Sequence, residues 1–143
     1  MNKVCLIGCA DVGKTTYVHH LLNSPLTSRK RKRIGVEVRA ITYKNQVFNI
    51  WDTEDINANG LIDGYIIMSN MCIIMYRYGQ NLSTLDESIR TILNAIPDKK
   101  KICIYCNVKG NEVVPDSYQG IRIFPLSLNK NVYRAFDYFM TGN

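Results

Sequence analysis

The sequence predicts an α/β domain with a mostly parallel sheet and helices on both faces. Three observations predict it. Apolar runs of strand length alternate along the chain with stretches of helical spacing. The first such unit holds Gly8-Cys9-Ala10-Asp11-Val12-Gly13-Lys14-Thr15, a G-x-x-x-x-G-K-T pattern, between the apolar run Val4 to Ile7 and the helix-like stretch Thr15 to Leu22. Two further runs, Val36 to Ile41 and Gln46 to Trp51, flank Lys44-Asn45 and read as an antiparallel hairpin at one edge of the sheet. With 143 residues the chain is expected to form one domain, residues 1–143, large enough for a single core.

In order, Lys3 to Ile7 is a buried strand and Thr15 to Asn23 a helix ended by Ser24-Pro25. Thr27 to Gly35 is basic and without apolar period, hence a loop. Val36, Val38 and Ala40 alternate with Glu37, Arg39 and Ile41, which suits a half-buried strand. Asp52 to Asn59 is polar and irregular, and Leu61 to Ser69 is a helix candidate. Met71 to Tyr76 is a buried strand. Ser83 is the expected cap of a helix with Asp86 and Glu87 in its first turn, Leu85, Ile89, Leu93 and Ile96 on its inner face, and Pro97 at its end. Ile102 to Cys106 is another strand, Asn107 to Gln119 a loop, and Ile121 to Leu126 a strand interrupted by Pro125. Val132, Phe136 and Phe139 form the inner face of a last helix. Ligands of such sheets bind at the carboxyl ends of the strands, and Gly8, Asp52, Asn107 and Ser127 each follow a predicted strand.

The first motif carries a definite chemistry. A loop of this pattern turns a row of backbone N–H groups toward phosphates at the positive end of a helix. Gly8 and Gly13 allow backbone geometry that a side chain would block. Lys14 reaches terminal phosphates, and the Thr15 hydroxyl ligates magnesium. The phosphate-binding candidates are therefore Gly8, Asp11, Val12, Gly13, Lys14, Thr15 and Thr16.

Composition is ordinary for a globular protein, 46% hydrophobic and 21% charged. The run Tyr65 to Tyr76 is too short and too polar to span a bilayer. Leu6-Ile7-Gly8-Cys9 superficially resembles a lipoprotein signal, but its apolar run is a few residues long and overlaps the phosphate loop. Met140 to Asn143 offers no cysteine for a prenyl anchor. Five cysteines without secretory context suggest a reducing compartment, and a cytoplasmic or nuclear location is expected. Cys103 and Cys106 lie three apart on a strand, on opposite faces, so they do not form a metal or redox pair. Cys9 is the candidate exposed thiol. The charge of +6 is concentrated in Arg29-Lys30-Arg31-Lys32-Arg33. Such a run serves as a nuclear import signal, a nucleic-acid patch, a docking site for an acidic partner, or simply a solvated loop. Lys99 to Lys101 is read as an exposed loop. His19 and His20 are read as surface positions of the first helix.

Beyond these local readings, the chain resembles the Ras-superfamily small GTPases, and within them the Ran group. The resemblance rests on the phosphate loop continuing into Thr16-Tyr17-Val18, on Gly35-Val36-Glu37-Val38, on Asn49-Ile50-Trp51-Asp52-Thr53, on Asp63-Gly64-Tyr65 and on Cys72-Ile73-Ile74-Met75. It covers residues 1 to about 107 well and the remainder loosely. It implies a P-loop fold with about six strands, one antiparallel edge, and a shortened C-terminal region. It also implies binding of GTP and GDP with Mg2+, and partner exchange through two loops ordered by the terminal phosphate. Lys14, Thr15 and Asp52 match the family's phosphate and magnesium contacts, so Thr15 and Asp52 are the metal candidates. The base would meet Asn107, Ser127 and the backbone of Leu128.

Several positions depart from the family. Arg33 stands where a magnesium-ligating Thr is usual. Thr27 or Ser28 is an alternative ligand, and Arg33 itself suits a phosphate. Glu54, Asp55 and Ile56 replace Ala-Gly-Gln; isoleucine cannot orient water, and two carboxylates near a triphosphate oppose it by about 1–4 kcal/mol per close charge pair. Asn57 and Glu54 are the remaining candidates for handling water. Asn107-Val108-Lys109-Gly110 keeps only the Asn of Asn-Lys-x-Asp, which weakens base selection, with Glu112 nearby as a compensating candidate. Ser127-Leu128-Asn129 replaces Ser-Ala-Lys. Two readings follow. One is a GTP- or GDP-binding switch-like protein with hydrolysis absent or very slow. The other is a non-enzymatic interaction module whose basic loop 29–33 mimics a small-GTPase surface. No membrane anchor and no nucleic-acid partner are expected; a competent GTPase using replaced residues is a third, less favoured reading.

Overall fold

The computed structural model describes residues 2–8, 13–22, 36–53, 69–127 and 130–143. Seven strands form one sheet: β1 (Asn2–Ile7), β2 (Val36–Tyr43), β3 (Gln46–Thr53), β4 (Met71–Arg77), β5 (Ile102–Asn107), β6 (Ser117–Tyr118) and β7 (Ile121–Leu126). Their order is β2-β3-β1-β4-β5-β7-β6. The central pairs β3-β1, β1-β4, β4-β5 and β5-β7 are parallel, while both edges, β2 on β3 and β6 on β7, are antiparallel. The expected mostly parallel α/β sheet is therefore present. It carries a second short antiparallel edge that the sequence reading placed in a loop.

Three α-helices cover the sheet among the described residues: α1 (Lys14–Leu22), α2 (Leu82–Ala95) and α3 (Arg134–Thr141). Alternate strand residues point to opposite faces, which sorts the core into two layers. Val4, Leu6, Ile73 and Tyr105 pack with Tyr17 and Val18 of α1 and with Ala135 and Phe136 of α3. Cys5, Ile7, Ile74 and Ile104 pack with Leu85, Ile89 and Ile92 of α2. Each fully buried Ile or Leu contributes about 1.5–3 kcal/mol through burial. Cys103 and Cys106 fall in different layers, as their spacing requires. Burial lifts the Cys106 thiol to about 11. Cys5, Cys72, Cys103 and Cys106 are buried and unbridged; Cys9 lies outside the described residues.

Several local expectations are corrected. β2 has the opposite phase: Val38 is 47% exposed and Ala40 is exposed, while Ile41 is 6% exposed in the layer with α1. An edge strand with apolar residues on both phases leaves the choice to register. That register is fixed by a two-residue turn at Lys44 and Asn45, with φ of 48° and 64°, the geometry of a type I′ hairpin. β3 runs on through Asp52 and Thr53, so Asp52 lies inside the strand, opposite Leu6 of β1. Asn81, not Ser83, caps α2: its side chain accepts from the Ser83 N–H. Pro125 does not interrupt β7. The Ile123 N–H donates to Asp116 on the β6 side. Two residues on, the missing N–H of Pro125 faces beyond the short β6, where the ladder asks for no donor. Val132 precedes α3, whose buried residues are Ala135, Phe136 and Tyr138, with Phe139 partly buried. The helix candidate 61–68 lies outside the described residues, and Ser69 is not helical. Lys99 to Lys101 form an exposed 3-10 turn capped by Asp98. No described helix is long and apolar enough to cross a membrane.

One buried tyrosine ties the sheet to the C-terminal helix. The Tyr105 hydroxyl donates to the Asn131 carbonyl at 2.6 Å and accepts from the Ala135 N–H at 2.9 Å. Tyr17 of α1 packs beside it, ring centroids 5.2 Å apart, and donates to the Val132 carbonyl at 2.9 Å. Burial raises both phenols above their ordinary range, so both remain donors. Tyr105→Phe leaves the Ala135 N–H without its acceptor and is expected to cost about 1–3 kcal/mol. That corresponds to a fall of several degrees in melting temperature. A melt indistinguishable from wild type would contradict this role.

Candidate nucleotide-binding site

The site is built where β1 ends and α1 begins. Gly8 follows β1 and is buried. Gly13 has φ of +89° and its carbonyl accepts the first helical bond, from the Tyr17 N–H at 2.9 Å. Glycine is required here twice over. A positive φ strains any L side chain, and a Cβ on residue 13 would lie 2.7 Å from Nδ2 of Asn107. Lys14 opens α1 and is only 8% exposed, an unusual state for a lysine without a dedicated environment. Thr15 and Thr16 continue the first turn, where backbone N–H groups have no intrahelical acceptor. Thr16 is exposed. Asp11, Val12 and Leu128 lie outside the described residues, as do Cys9, the basic run 29–33 and residues 54–57.

The carboxyl rim gathers the remaining predicted residues. Asn107 ends β5 opposite Leu126 of β7, and the Val108 N–H donates to the Leu126 carbonyl at 2.9 Å. Ser127 follows β7 and accepts through its carbonyl from the Lys130 N–H at 3.0 Å. Asp52 sits near the end of β3, half-buried, on the strand beside β1. Gly13, Thr16, Asn107 and Ser127 line one cleft of about 550 Å³, within the usual range for small-molecule sites. Asp52 is not among the residues lining that cleft; it lies toward the hairpin edge of the rim.

The cleft also contains residues that sequence reasoning left aside. His20 lines it, half-buried, one turn beyond Thr16 on the same face of α1; the four-residue spacing was the available signal. Lys109 and Lys130 line it too. Glu112 is not among the lining residues; its carboxylate accepts from the Gly110 N–H at 2.8 Å. This bond, followed by those from its own and the Lys109 amide, holds its carboxyl below the usual range.

The residues suit a bound polyphosphate. A buried Lys14 beside a helix start supplies positive potential at one end, and the cleft toward Asn107 and Ser127 has room for a nucleoside. The oxygen ligands expected of Thr15 and Asp52 are the hard donors magnesium takes. Among the described residues no group of three His, Cys, Asp or Glu side chains forms a metal cage. Gly13→Ala is expected to cost at least about 1–2 kcal/mol from backbone strain alone and to displace Asn107. Thermal melts and the amide spectrum of the 107–110 segment check this; an unshifted Asn107 would contradict it.

The comparison with protein families agrees with this geometry. The family model described as "Ras of Complex, Roc, domain of DAPkinase" matches residues 3–110. The match takes in the phosphate loop, the hairpin, Asp52 and Asn107. The chain belongs to the Roc family of Ras-superfamily GTPase domains.

Proposed function

We propose that this domain binds GTP and GDP with Mg2+ as a switch-like protein whose hydrolysis is absent or very slow. The observation that carries the binding reading is the cleft that Gly13 and Thr16 share with Asn107 and Ser127, with the buried Lys14 next in the chain to Gly13. Gly8, Asp11, Val12, Gly13, Lys14, Thr15 and Thr16 would hold the phosphates. Thr15 and Asp52 would hold the metal. Asn107, Ser127 and the Leu128 backbone would hold the base. The metal adds charge neutralisation between the outer phosphates.

Slow hydrolysis is supported by the chain's chemistry after Asp52-Thr53. Glu54, Asp55 and Ile56 offer no group that both donates to and accepts from an attacking water while tolerating a triphosphate. The finer likeness to the Ran group rests on the segments quoted from the sequence. A protein partner reached through the basic run Arg29 to Arg33, acidic in character, is part of the same proposal.

Calorimetric titration with magnesium–GDP and magnesium–GTP tests the binding. A Kd below about 100 μM is expected, equivalent to at least 5–6 kcal/mol. Lys14→Ala should weaken it by about 10- to 100-fold, the range of one charge-assisted bond. Chelating magnesium should weaken GTP more than GDP. Absence of saturable binding, or equal affinities for wild type and Lys14→Ala, would overturn the reading. Single-turnover phosphate release should show no burst; rapid release would make the domain a competent hydrolase.

A further inference from the structure

We propose that the cleft carries a second anion subsite, built from His20, Lys109 and Lys130, and that the nucleotide it takes bears a further phosphate on its ribose. The inference rests on the nucleotide reading above and goes further by naming the class of ligand. In that reading a nucleoside 5′-diphosphate has all its charge at the Gly13 and Thr16 end, and its nucleoside is neutral. Yet three basic side chains line the cleft away from that end. They match no charge on a simple diphosphate. A phosphate on the 2′ or 3′ oxygen would supply it. Two ammonium groups and an imidazole suit its oxygens, and His20 has an N–H to donate in either protonation state.

Three elements bring these residues to one cleft. The Tyr17 hydroxyl donates to the Val132 carbonyl at 2.9 Å, which sets one face of α1 against the segment 130–132. His20 stands three residues beyond Tyr17, on that same face, and is half-buried. Lys130 begins the segment and is tied to the end of β7 by the bond from its N–H to the Ser127 carbonyl at 3.0 Å. Lys109 leaves β5 just after Val108, whose N–H donates to the Leu126 carbonyl at 2.9 Å, so the exits of β5 and β7 run side by side. His20 is also one helical turn, about 6 Å, past Thr16. The subsite is thus displaced along α1 from the helix start. The competing role is bland: Lys109 and Lys130, both exposed, are simply solvated, and His20 only packs.

Calorimetric titration with magnesium–GDP and with its 2′-phosphorylated and 3′-phosphorylated forms separates these roles. One of the two ribose-phosphorylated forms is expected to bind wild type at least about 10-fold more tightly than GDP, the scale of one charge-assisted hydrogen bond. That ratio should fall to near one in His20→Ala/Lys130→Ala, and equally in Lys109→Ala/Lys130→Ala, where both substituted residues are exposed and the fold is not at stake. Lys100→Ala/Lys101→Ala removes two charges from the exposed turn at the opposite end of β5 and should leave the ratio as in wild type. A ratio near one in wild type for both forms would overturn the proposal while leaving nucleotide binding intact. A ratio that survives both cleft variants, or that falls as much in Lys100→Ala/Lys101→Ala, would overturn it too, since the gain would then belong to the protein's overall charge. Failure of wild type to bind any of the three would instead remove the nucleotide reading, and this inference with it.

Discussion

Much of the site depends on one close approach: the side-chain amide of Asn107, at the end of β5, against the backbone of Gly13, at the start of α1. A single methyl group on residue 13 would lie 2.7 Å from that amide. The contact brings together two segments almost a hundred residues apart in sequence. In the proposed reading, the Gly13 segment would offer amides and a buried lysine to an anion, and the Asn107 segment a polar edge to a heterocycle. Because both ends belong to rigid elements, the distance between phosphate end and base end is set by the sheet.

The far wall of the cleft is held by a second device. Tyr17 and Tyr105 come from α1 and β5, yet both hydroxyls bond into residues 131–135. The chain that returns from β7 past Ser127 is thereby pinned over the start of α1. Asn131, itself at φ of 64°, adds a bond from its side chain to the Pro125 carbonyl. The two tyrosine hydroxyls make buried or partly buried bonds in a low-dielectric setting, where satisfied polar groups specify one arrangement. The short α3 completes the brace through Phe136, whose ring meets Phe48 edge-on at 4.9 Å.

The parallel sheet was legible because β1, β4 and β5 are apolar on both phases, the mark of strands buried on both faces. The phosphate loop was legible because its residue types sit in a fixed spacing. Other features were hidden for physical reasons. Val38 and Ile41 are equally apolar, so the phase of β2 waited on hairpin register. Asn81 and Ser83 are both good caps, and only the path of the chain chooses between them. β6 spans two residues, below any periodicity. His20 and Lys130 enter the cleft through packing of distant elements. The hydrolytic and switch segments, 54–57 and 29–33, rest on sequence alone.

The proposed reading is a Roc-family domain that binds a nucleotide and cleaves it slowly or not at all. The most direct measurement is an amide NMR titration of the domain with magnesium–GDP. Lys14 and Gly13 amides should shift together with the side-chain NH2 of Asn107 and the amide of Ser127, all saturating along one curve. Shifts confined to other surfaces, or Gly13 and Asn107 responding at different concentrations, would contradict a single cleft that holds phosphate and base at once.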